Sequence, residues 1–172
     1  MDRRQFFISS ATVAAGGMPT SGLSAESAKE PREFIGVLVD TTRCIGCRSC
    51  EVACSAANGN FVPDVSTDNA LAQVRDTSEK QYTVVNRFNT EKGEVYVKRQ
   101  CMHCWQAACV AMCLVNAMFK TKEGPVTWDG DKCLGCRFCM VACPFDIPKA
   151  EYLSWNPRIM KCTMCYERLQ EG

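Results

Sequence analysis

Apolar residues fall in short runs along the chain, and the character of each run predicts a small element. QYTVVNRF (81–88) and GEVYVKRQ (93–100) are β-branched and aromatic, and they flank NTEKG; together they predict a hairpin. AMFKTKEGPVTWDGD (117–131) predicts a second hairpin, turning near Glu123-Gly124-Pro125. Residues 55–80 are small and polar, contain Pro63 and follow no period, so they read as an excursion loop. A modestly apolar stretch from Phe6 to Ala15 follows Arg3-Arg4. No stretch reaches the ~18 apolar residues of a membrane span, so only a retained leader would anchor the chain in a bilayer.

One pattern occurs twice. VLVDTTRCIGCRSCEVAC (37–54) aligns with VTWDGDKCLGCRFCMVAC (126–143) at an offset of 89, with ten of eighteen positions identical. The match begins upstream of the cysteines, pairing Val37 with Val126, Asp40 with Asp129 and Arg43 with Lys132. Each copy therefore predicts a short strand, an acidic turn, a cysteine loop and a short helix. Short strands, hairpins and helices strung between loops give an α+β, loop-rich class.

Composition narrows the chemistry. The formal net charge is +1, which argues against a nucleic-acid footprint, normally strongly basic. Fourteen of 172 residues are cysteine, about 8%, a level that marks a disulfide scaffold or a metal protein. His103 is the sole histidine, so any metal must lean on thiolate.

The cysteines are grouped. Group one is Cys44, Cys47, Cys50 and Cys54; group two is Cys101, Cys104, Cys109 and Cys113; group three is Cys133, Cys136, Cys139 and Cys143, followed by Pro144. Cys162 and Cys165 begin a fourth. Groups one and three have the C-x2-C-x2-C-x3-C spacing of bacterial [4Fe–4S] ferredoxins. Three cysteines in a tight loop can wrap three corners of a cubane; the fourth, where a helix begins, is too far round and serves another cluster. Gly46 and Gly135 sit inside the loops, where a missing Cβ lets backbone approach a cluster. Met102-His103 and Thr163-Met164 occupy the corresponding gaps in groups two and four, so those loops should differ in detail.

Other readings fit less of the chain. A zinc ribbon suits the terminal pair alone, since structural zinc sites pair two C-x-x-C knuckles rather than three four-cysteine groups. Cysteines three apart in tight loops are poorly placed to bridge distant segments by disulfides. The C-x3-C-x2-C run common in S-adenosylmethionine radical chemistry is missing. His103 reads as a residue at the surface or behind the ligands rather than a ligand. Met102, Met112, Met118, Met140, Met160 and Met164 read as an apolar shell around the loops, and Trp105, Trp128 and Trp155 as packing or partner-contact residues. No nucleophile–base pair, phosphate loop or carboxylate pair stands out, so the chain reads as non-catalytic.

The leader MDRRQFFISSATVAAGG resembles a twin-arginine export signal, with Asp2 where a Ser or Thr is usual. From Phe34 to Gly172 the sequence resembles the four-cluster iron–sulfur subunits of the complex iron–sulfur molybdoenzymes and related hydrogenases. YTVVNRF is closer to formate dehydrogenase; YVKRQCMHC, GCRFCMVACPFDIPK and the leader are closer to the periplasmic nickel–iron hydrogenase partner. The resemblance implies tandem ferredoxin-like modules: 33–56 with 155–172, and 95–150, separated by an insertion at 57–94 and preceded by a signal and linker over 1–30. It implies four [4Fe–4S] clusters and cross-ligation. Cys101, Cys104 and Cys109 join Cys143. Cys133, Cys136 and Cys139 join Cys113. Cys44, Cys47 and Cys50 join a cysteine late in group four, and Cys162 and Cys165 join Cys54. Groups two and three hold two complete sets; the other two need cysteines expected after Gly172 as C-x3-C-P. Leu114 replaces the proline that commonly follows group two. The function implied is electron relay between a catalytic molybdopterin or nickel–iron subunit and a membrane subunit bearing quinone or haem, in the periplasm. A free-standing polyferredoxin and a structural zinc adaptor are the alternatives.

Overall fold

Secondary structure in this protein is brief and interrupted, because every few residues the chain turns to present a cysteine. The computed structural model describes residues 33–171, so the stretch that resembles an export signal lies outside the described residues. Helix α1 (Ser49–Ala57) follows the first cysteine loop, and a 3-10 turn covers Asp68–Leu71. Strands β1 (Val84–Thr90) and β2 (Gly93–Arg99) form the first hairpin, closed in register at Thr90 opposite Gly93. Then come α2 (Ala108–Ala111), the hairpin of β3 (Met118–Lys120) and β4 (Val126–Trp128), and α3 (Phe138–Ala142). A two-residue pair, β5 (Lys149–Ala150) with β6 (Ile159–Met160), precedes α4 (Tyr166–Glu171). Each sheet is one antiparallel pair, giving an α+β fold. The described residues, 33–171, form one compact unit.

The core lies where the second hairpin meets the cysteine helices. Ala107, Met118, Val126, Cys139, Ala150 and Ile159 form its buried cluster, with Cys104, Cys109, Cys113 and Cys133 packed against it. Thiols are thus part of the hydrophobic interior, and the loops that carry them are immobilised by packing as well as by hydrogen bonds. The first hairpin behaves differently. Val84, Val85 and Asn86 are all buried, whereas Asn89 and Thr90 are exposed, because the base of the hairpin is embedded on both faces and its tip projects.

Two expectations need correction, the strand at 37–39 and the methionine shell. The repeat predicts a strand at Val37–Val39, but the segment has no regular secondary structure and is exposed, Leu38 by 94%. β4 has β3 beside it; residues 37–39 have no strand to pair with among the described residues. The preceding residues instead dock on the second hairpin: the Ile35 N–H donates to Glu123 O at 2.9 Å, and the Phe34 ring meets Trp105 edge-on at 4.6 Å. The excursion loop is irregular over 58–80 apart from the 3-10 turn, although α1 runs to Ala57 and Leu71 and Thr77 are buried. The methionine shell is partial: Met118 is in the core, but Met102 and Met112 are exposed.

Candidate metal centre

The four cysteine loops share one backbone device. The residue before the second cysteine has a left-handed φ in every group: +72° at Gly46, +45° at His103, +67° at Gly135 and +59° at Met164. Groups two and four therefore make the same turn as groups one and three, against the expectation from sequence, and bear the cost of a side chain there, about 1–2 kcal/mol per residue. Arg48 and Arg137, equivalent in the repeat, are also left-handed, at +60° and +62°. Such alternation turns successive N–H groups inward as a nest for negative charge. Backbone N–H groups do reach sulfur: Gly135 donates to Cys133 Sγ at 3.4 Å, Met164 to Cys162 Sγ at 3.4 Å and Met118 to Cys113 Sγ at 3.3 Å. At Gly46 the missing side chain has a second use, since a Cβ would overlap the Tyr96 ring. At Gly135 a Cβ would lie 3.4 Å from Pro157 Cδ.

All fourteen cysteines are free thiols. Cys113, Cys133, Cys136 and Cys139 line a single apolar cavity floored by Met118 and Ile159. Burial pushes the Cys139 thiol up to about 11, reinforced by Cys109, Cys133 and Cys136. Burial likewise raises Cys109; Lys161 opposes it, while Cys101, Cys143 and Cys104 add to it. Cys101, Cys104, Cys109 and Cys143 therefore share one electrostatic neighbourhood. Cys162 is raised by burial, eased by the Met164 N–H, and feels Cys101 and Cys54. Cys50 is raised by burial and feels Lys98, Glu51 and Cys44. At Cys47 the Ser49 hydroxyl draws the thiol down. Buried thiols of this kind ionise when a cation compensates them. Among the described residues, no three His, Cys, Asp or Glu side chains converge as ligands of one metal ion would.

Sequence reasoning missed the charged groups behind the loops. Glu51, 0% exposed, accepts from Arg48 Nη2 at 3.1 Å, Arg75 Nη2 at 2.5 Å, Gln81 Nε2 at 3.0 Å and the Val85 N–H at 2.6 Å. Burial alone would raise its carboxyl; Arg75, the Val85 N–H and Arg48 outweigh that and hold it below the usual value. This cluster pins α1, and hence Cys50 and Cys54, to β1. The only available signal was that copy two has Met140 where copy one has Glu51. His103 is 7% exposed, which overturns a surface position. Its Nδ1 accepts the Val126 N–H at 2.9 Å, and burial, with Lys161 and Lys120, pushes the imidazole down to about 4. Lys120 Nζ donates to Cys104 O at 2.8 Å and to His103 O at 3.1 Å.

Soft thiolates, inward N–H groups and ferredoxin spacing fit an iron–sulfur cluster. Residues 93–172 match the model of a 4Fe-4S dicluster domain. The chain is 35% identical to the hydrogenase-2 operon protein HybA of Escherichia coli O157:H7, over 100% of this chain and 57% of that protein. It is 34% identical to the formate dehydrogenase-O iron-sulfur subunit of Escherichia coli K12, over 89% of this chain and 52% of that one. Residues 93–172 belong to the 4Fe-4S dicluster family, and the chain is similar along its length to iron–sulfur subunits. Its cofactors are [4Fe–4S] clusters. A protein of Nitratidesulfovibrio vulgaris is 44% identical over 100% of this chain and 49% of its own length. The chain spans about half the length of the curated relatives it matches. None of its described helices is long and apolar enough to cross a membrane.

Proposed function

We propose that this protein relays electrons through [4Fe–4S] clusters between a catalytic oxidoreductase subunit and a membrane partner, without substrate chemistry of its own. The observation that carries the reading is that cysteines from two groups, Cys113 and Cys133, Cys136 and Cys139, line one cavity. It supports cross-ligation: Cys133, Cys136, Cys139 and Cys113 hold one cluster, and Cys101, Cys104, Cys109 and Cys143 a second. The shared field of Cys162 and Cys54 supports pairing group four with group one, in a module built from 33–56 and 155–172. Cys44, Cys47, Cys50 and Cys165 complete the ligands this chain supplies.

Bound clusters supply reversible one-electron exchange, within roughly −700 to +450 mV. The chain's own contribution is to bury them, space them and set their potentials through N–H···S bonds and nearby charge. The names hydrogenase-2 operon protein and formate dehydrogenase-O iron-sulfur subunit support a nickel–iron or molybdopterin partner, and a quinone- or haem-bearing membrane subunit as the other terminus. Tyr152, Leu153 and Trp155, 64%, 82% and 100% exposed in one segment, are available for such docking. Arg3-Arg4 and the apolar stretch after them support twin-arginine export to the periplasm.

The test is anaerobic purification from the native host, with iron and acid-labile sulfide counted, EPR recorded on reduction and co-purifying subunits identified. A zinc-only preparation would overturn the relay. A cluster-loaded chain that travels alone would favour a free-standing polyferredoxin.

A further inference from the structure

Lys161 immediately precedes group four and is 4% exposed. Its ammonium donates to Val126 O, at the start of β4, and to Cys162 O at 3.0 Å. No carboxylate pairs with it among the described residues; the salt bridges there involve Arg48, Arg75, Arg87, Arg99, Lys132 and Lys149. Two neutral carbonyls orient an ammonium but do not balance its charge, and an unbalanced buried cation is costly. Something anionic must therefore share its surroundings. Cys109 and Cys162, from two different groups, and the His103 imidazole are among the side chains that feel its charge, and Val126, which accepts from Lys161 through its carbonyl, donates its N–H to His103 Nδ1.

We propose that Lys161 is the fixed counter-charge between two neighbouring clusters, one held through Cys109 and the other through Cys162, and that it raises the reduction potential of both. Each cluster, with its thiolates, is net negative and becomes more so by one electron on reduction. A buried ammonium stabilises the reduced form more than the oxidised form. Because the charge lies at the junction, it eases arrival of the electron on either side. The role rests on the cluster reading and adds to it a specific residue that sets potentials.

The experiment is an EPR-monitored redox titration of the full chain, purified anaerobically as wild type, Lys161→Gln, Lys161→Met and Lys161→Arg, with iron counted in each. Gln keeps amide donors for the carbonyls and loses the charge; Arg keeps the charge. The expected result is a fall of about tenfold in the reduction equilibrium constant for Gln and Met, about 59 mV for a one-electron couple, with Arg close to wild type. An iron-replete Gln variant with unshifted midpoints would overturn the role of Lys161 and leave the clusters standing. If Gln and Met lose iron, retention of iron and midpoint by Arg supports the counter-charge, and loss of iron in Arg as well refutes it. A wild type without iron and sulfide would instead overturn the cluster reading itself.

Discussion

Replacing Glu51 with Gln tests whether ionic anchoring, rather than apolar packing, holds the first cysteine helix. The side chain keeps its volume, so no cavity forms. Its charge disappears, leaving Arg48, 3% exposed, without a counter-ion and Arg75, 23% exposed, with one partner fewer. One oxygen also becomes an NH2 group that faces donors on every side, among them Arg75 and the Val85 N–H. Removing one partner of a buried ion pair typically costs about 3–5 kcal/mol, and discounting for the part-exposed Arg75 puts the loss near 3 kcal/mol. The Val85 amide reports it directly, since Glu51 is its acceptor. By native-state hydrogen exchange the segment around Val85 should exchange about a hundredfold faster in Glu51→Gln, each ~1.4 kcal/mol being tenfold. Acceleration below about fivefold would refute the anchoring role. The pH dependence has a definite sign. The folded carboxyl lies below its ordinary 4.5, so its stabilisation is complete above that value. It is lost as pH falls through the lower folded value; Glu51→Gln should lack this acid-dependent loss.

The remaining predictions concern the loops, the ligand sets and export. Gly46→Ala should cost more than Gly135→Ala in retained iron: both positions are left-handed, but only at Gly46 does the new Cβ enter the Tyr96 ring; equal iron in the two would count against this packing. Cys143→Ser should perturb the same EPR signal as Cys101→Ser, and Cys113→Ser the same signal as Cys133→Ser; perturbation within groups instead of across them would refute cross-ligation. Removing the Val126 N–H acceptor in His103→Ala should destabilise the second hairpin by about 1–3 kcal/mol, read as faster exchange at Val126. Arg3→Lys with Arg4→Lys should leave the chain in the cytoplasm on fractionation, and periplasmic recovery of that variant would refute twin-arginine export.

The residue spacing carried much of this. Both hairpins fell close to their β-branched runs, because a turn between two such runs is a local event. The helices after Cys47 and Cys136 followed from the repeat for the same reason. The 37–39 strand failed because a strand exists only with a partner, and the partner of Val126 is not repeated beside Val37 in the described residues. The excursion loop is irregular, as its composition implies, but its anchors, Arg48 to Asp64 O and Asn86 to Arg75 O, join residues many positions apart and are not legible within the loop.

Read alone, the amino-acid order determined which residues are thiols, in what groups, and that the groups repeat; such properties are local and survive without a fold. Only the tertiary structure decided that His103 and Met164 make the same left-handed turn as Gly46 and Gly135. It alone placed a buried acid in the first turn of one cysteine helix and a buried ammonium against the carbonyls of Val126 and Cys162. Burial and field depend on which distant segments close over a side chain, and Val126, brought against Lys161 from 35 positions away, is not legible in either segment by itself.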